Sequence, residues 1–228
     1  YKARQQQAEV KALVDRVVRE RADAGIALDL RSDYLPLTDL KRIALVRLPW
    51  PALRNALDKL EPRGDLRDVR VKLDTRQARP DWRIDARFEQ LAINRWQQVP
   101  GIANLSGVVR GTPGLFQVTM DSANSTLQLQ PLFRDALEFD RLAGKVEFTW
   151  VDDAWTLRTD QLAADAPHLR TVSRMLLTRQ ADGKRFLDLQ TDFHDGDARY
   201  AARYYPVGVM GGKLVGWLDR SIQEGKVT

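Results

Sequence analysis

Val146-Glu147-Phe148-Thr149-Trp150-Val151-Asp152-Asp153-Ala154-Trp155-Thr156-Leu157 carries the pattern on which the fold turns. Val146, Phe148 and Trp150 alternate with Glu147 and Thr149, the chain reverses at Asp152-Asp153, and Trp155 and Leu157 resume the apolar series. A period of two marks a strand with one dry and one wet face, and an Asp-Asp pair between two such runs reads as a tight hairpin.

The same signature extends in both directions. Upstream, Val69, Val71 and Leu73 oppose Asp68, Arg70 and Lys72; Trp82, Ile84, Ala86 and Phe88 oppose Arg83, Asp85 and Arg87. Phe116, Val118 and Met120 oppose Gln117 and Thr119, and Leu127 and Leu129 alternate with Gln128 and Gln130. Downstream, Leu169 to Thr178 and Arg185 to Phe193 form two further runs joined at Ala181-Asp182-Gly183. Strands at this spacing, linked by short polar turns, predict an antiparallel meander that is wet on one side.

Helical spacing appears outside this block. Residues 1–25 read as a polar, amphipathic flanking helix, with Val10, Leu13, Val14, Val17 and Val18 on one side and Gly25 as its stop. Residues 26–65 read as a short strand, then a helical segment opened by Thr38, interrupted at Pro49, restarted by Pro51 and closed at Pro62-Arg63-Gly64. The meander fills 66–202. Residues 203–228 read as a turn, a helix with Leu214, Val215, Trp217, Leu218 and Ile222 at helical spacing, and the truncated start of a next segment.

Composition excludes several kinds of function. There are no cysteines, which removes disulfides, thiolate metal sites and cysteine nucleophiles. The net charge of +5 comes from 36 basic and 31 acidic residues that are interspersed rather than striped, so no nucleic-acid partner is expected. His168 and His194 are the two histidines, and the Asp192, His194, Asp195 and Asp197 group reads as turn chemistry around Asp195-Gly196-Asp197. Gly208, Gly211 and Gly212 lack the spacing and the Lys-Ser/Thr pair of a phosphate loop. No catalytic residue, metal or cofactor is therefore expected, and no enzymatic activity. The apolar strand faces remain, and alternation serves two readings equally: a core sealed by a second layer, or an open apolar groove.

Two segments carry a family likeness. Trp96 to Gly107 (WQQVPGIANLSG) and the strand Leu105 to Gly111 that overlaps it resemble the opening of a meander in the YhdP branch of the AsmA-like family. Tyr204-Tyr205-Pro206, Val207 to Met210 and Leu214 to Asp219, continuing through Ser221 to Gly225, resemble that family's strand-to-helix element. The resemblance implies a mainly β protein with a few helices (α+β), whose curved antiparallel meander has an apolar groove face flanked by short amphipathic helices. It also implies a periplasmic, inner-membrane-anchored envelope protein, with the anchor outside this chain. Such a protein conducts phospholipid between inner and outer membranes without chemistry. Its implied partners are phospholipid acyl chains, adjoining groove segments of the same chain and other envelope proteins. The groove candidates are Val108, Phe116, Val118, Met120, Leu127, Leu129, Val146, Phe148, Trp150, Trp155 and Leu157. The alternative is a closed structural or protein-binding β domain.

Overall fold

The computed structural model describes residues 27–39, 41, 51–76, 79–97, 99–222 and 225–227. The expected helix at 1–25 lies outside them. Nine strands form one antiparallel sheet in strict chain order: β1 (Ala27–Pro36), β2 (Arg63–Asp74), β3 (Asp81–Ile93), β4 (Gly101–Thr112), β5 (Leu115–Gln128), β6 (Leu137–Val151), β7 (Ala154–Ala166), β8 (Leu169–Arg179) and β9 (Arg185–His194). At about 4.8 Å between strands the sheet is about 40 Å across. The protein is a mainly β, curved and open meander with few helices.

The β2–β3, β5–β6 and β6–β7 hairpins are formed by strands whose alternation is legible in the sequence. β1 runs further than expected, ending on Pro36, which an edge strand tolerates at its last position. Helical turns follow at 37–39, then α1 (Pro51–Leu60). After β9 come a two-stranded pair, β10 (Gly196–Asp197) and β11 (Lys226–Val227), a 3-10 segment Ala198–Tyr204, and α2 (Gly212–Ser221). Asp197 caps the 3-10 segment by accepting from Arg199 N–H at 3.0 Å, and its pairing with the Arg199 guanidinium holds its carboxyl down at about 2. α2 buries no residue; it is tethered to the β5–β6 loop by Arg134, which donates to both carboxylate oxygens of Asp219 at 3.0 and 2.7 Å.

The sheet bends along a crease in mid-strand. Asp68, Gln90 and Asn104 adopt left-handed conformations with φ of 51°, 52° and 58°, each at a register shift between neighbouring strands. Each is an extra residue in a β-bulge, which kinks the strand and increases its twist. Side chains stitch the crease together. Gln90 N–H donates to Ser106 Oγ at 3.0 Å, Ser122 Oγ accepts from Ser106 N–H and donates to its carbonyl, both at 2.8 Å, and Ser125 Oγ donates to the Asn104 carbonyl at 3.0 Å.

The core gathers on one face of the sheet along this crease. One cluster is Leu35, Val69 and Ala86; a larger one is Phe88, Leu105, Leu142 and Ala164, with Met120, Leu127, Phe139 and Leu162 packed against it. Small residues allow the close approach. A Cβ on Gly107 would stand 2.2 Å from the Thr119 carbonyl oxygen and 2.9 Å from the Phe88 ring. The extensive contacts of the fold lie between hydrogen-bonded neighbouring strands, so among the described residues no second sheet packs on either face.

Candidate functional site

The inward face is continuous across all nine strands. Register places Leu30, Val71, Ile84, Gly111, Phe116, Phe148, Leu157, Leu177 and Leu187 in one row, each residue directly opposite the next. Every side chain in the row is aliphatic or aromatic, and Gly111 supplies none. One residue along each strand lies the outward row Arg31, Arg70, Asp85, Arg110, Gln117, Glu147, Arg158, Leu176 and Asp188. From Arg70 onward charges of opposite sign follow one another and pair: Arg110 Nε lies 3.3 Å from the Asp85 carboxylate, and Gln117 donates to Glu147 at 2.8 Å.

At the hairpin end the inward face becomes aromatic. Trp82 lies 5.4 Å from Phe116 and 6.4 Å from Trp150 between ring centroids; Phe116 and Phe148 stack on Trp150 at 5.5 and 5.6 Å; Phe148 meets Trp155 at 5.9 Å. Gly111 makes this possible, because a Cβ there would fall 2.4 Å from the Phe116 ring and 2.9 Å from Trp82. Trp150 and Trp155 are direct partners across the β6–β7 hairpin.

Eight of the expected groove residues share this face: Phe116, Val118, Met120, Val146, Phe148, Trp150, Trp155 and Leu157 follow one another by register, and Leu127 joins them through the larger cluster. Val108 does not. It lies opposite Arg87 and Thr119 on the charged face, while Val109 takes the inward place opposite Ala86 and Val118. Two successive valines satisfy alternation in either phase, and only the pairing of β4 with its neighbours separates them. Leu129 lies past the end of β5, which stops at Gln128, in the turn where its carbonyl accepts from Leu132 N–H at 2.8 Å. All eleven are half-buried, touching the sheet yet reached by solvent. The face is barest at β9, where Leu187, Leu189 and Phe193 are 55%, 56% and 53% exposed.

Two of the acidic residues around Asp195-Gly196-Asp197 are paired with arginines. Asp197 binds Arg199, Asp195 pairs with Arg170 at 3.0 Å, and His168 stacks on Tyr200 at 3.5 Å between ring centroids. Among the described residues no group of three or more acidic or histidine side chains is placed to hold a metal ion, and no helix is long and apolar enough to cross a membrane.

The protein thus falls in the class of open, single-layer antiparallel meanders, with one largely apolar, solvent-reached face and one charged face. The family model described as YhdP protein matches residues 4–228, and the chain belongs to that family. It is 26% identical over 204 residues to the intermembrane phospholipid transporter YhdP of Escherichia coli (strain K12). That alignment covers 87% of this chain and 16% of the relative, so the chain spans about a sixth of that protein's length. No solved structure matches.

Proposed function

We propose that this chain forms a stretch of apolar trough that shields phospholipid acyl chains, without chemistry, as they pass between the inner and outer membranes of an envelope. The observation that carries this reading is the uncharged row from Leu30 to Leu187, unbroken across nine strands. Each methylene taken out of water contributes ~0.8 kcal/mol, so a chain held along such a row needs no pocket shaped to it. Half of a ~30 Å hydrocarbon core is the depth of one leaflet, and the sheet is more than twice that wide. The trough therefore accommodates acyl chains along its length and presents the same apolar surface at each step. Family membership and the relative's phospholipid transport support the choice of lipid over a protein ligand. On this reading the chain lies in the periplasm and joins further groove on either side.

The test is a photo-crosslinking residue at Val118 or Phe148 in the intact protein, in cells, followed by mass analysis of adducts. Phospholipid adducts at both positions are expected, with none at the outward Thr119. Adducts confined to other parts of the protein would remove this stretch from the lipid path.

A further inference from the structure

Helix α2 turns an apolar side to solvent. Leu214 and Trp217 are 48% and 56% exposed, and Val209, in the turn ahead of the helix, is 77% exposed. A Cβ built on Gly211 or Gly212 meets no atom within 4 Å, so the start of the helix stands clear of the sheet. The helix is nevertheless tethered. Gly208 N–H donates to the Leu132 carbonyl at 3.0 Å, Arg134 bonds both carboxylate oxygens of Asp219, and Val215 and Leu218 on the other side of the helix are half-buried. The exposed side is therefore a fixed feature of the β5–β6 loop end of the sheet, at the far end of β6 from the aromatic rim.

Two exposed cations flank Trp217. Lys213 lies one turn before it and Arg220 one turn after, so the three share one side of the helix. Asp219, the acidic residue of α2, is taken up by Arg134, which leaves the exposed side basic and apolar. That combination is chemically specific. Indole favours the level at which lipid passes from acyl chain to headgroup, a neighbouring Leu adds buried area, and Lys or Arg at that level gains from the charge of anionic lipid. Ten residues are too few to cross a bilayer and enough to lie in its surface. We infer that α2 is an interfacial contact for an anionic phospholipid surface. Leu214 and Trp217, with Val209 in the turn before them, enter the boundary between headgroups and acyl chains, while Lys213 and Arg220 meet the phosphates. The contact uses none of the trough residues and stands or falls apart from the acyl-shielding reading. It would hold the loop end of the sheet beside a bilayer without a spanning segment.

The chain has no cysteine, so Leu214→Cys in the full chain gives one thiol for a nitrobenzoxadiazole probe on α2, and Leu187→Cys gives one on the trough. Vesicles of phosphatidylglycerol with phosphatidylethanolamine are expected to brighten and blue-shift the probe at 214. Binding should weaken about thirtyfold in K213Q/R220Q and about tenfold in W217S, both at exposed positions. Vesicles of phosphatidylcholine alone should leave the probe within about twofold of its brightness in buffer. A silent probe at 214 beside a responsive one at 187 would overturn the α2 contact and leave lipid in the trough; silence at both would overturn the contact as well. An equal response to phosphatidylcholine, or undiminished binding in both variants, would remove the anionic surface. A blue shift at 214 that grows with protein concentration without vesicles would assign the helix face to a second copy instead, and one reproduced by soluble polyglutamate would assign it to an acidic protein.

Discussion

The two faces of the sheet are built from the same nine strands and differ by one residue of phase. On the inward face the row from Leu30 to Leu187 excludes charge, and the buried residues lie along the crease, where Phe88, Leu105 and Leu142 are each less than 7% exposed. The outward face spends its residues on exposed ion pairs such as Arg67 with Glu89 and Arg141 with Asp121. Stability is therefore held in a narrow band of the inward face, while most of the remaining apolar surface stays half in water. That separation leaves the apolar surface beside the band within reach of solvent.

Substitutions that erase the difference between the faces should have the largest effects. Leu142→Asp, which sets an unpaired carboxylate in the crease, is expected to cost about 4 kcal/mol or more, whereas Thr119→Asp on the outward face should stay within about 0.5 kcal/mol. Urea denaturation of the two variants side by side measures the contrast, and equal midpoints would deny that the faces differ. Phe88→Ala leaves a cavity in the larger cluster and should cost about 3–4 kcal/mol by the same measurement. Gly107→Ala drives a methyl against the Thr119 carbonyl and should cost about 1–3 kcal/mol. Arg110→Ala on the charged face removes an exposed pair and should shift stability by less than about 1 kcal/mol, an effect that salt abolishes.

The smallest effect concerns acid. Asp197 titrates at about 2 because Arg199 bonds its carboxylate, against about 3.9 for a free aspartate. A depressed carboxylate favours the folded state above its unfolded pKa, and that contribution fades as pH falls from about 4 through about 2. The carboxyl carbon resonance of Asp197 should follow that low midpoint and move back toward about 3.9 in Arg199→Ala.

Much of this molecule was legible in its sequence because the strands alternate so plainly. Phe116, Val118 and Met120, and then Val146, Phe148 and Trp150, fall on one face as their spacing requires. Alternation fails where phase is ambiguous or changes. Val108 and Val109 are chemically equivalent, so the choice between them came from Arg87 and Ala86 across the ladder. Asp68, Gln90 and Asn104 each shift phase by one, and nothing in a polar residue on a strand announces that its φ is positive.

The bulges have a consequence for how such a sheet can be reshaped. At Gln90 the extra residue lets Phe88 and Leu91 share the inward face although three positions separate them. Deleting Gln90 would leave them two positions apart, still on one face by ordinary alternation. Bend and face polarity are thus written in different residues, and removal of a bulge residue would flatten the sheet without exchanging its two faces.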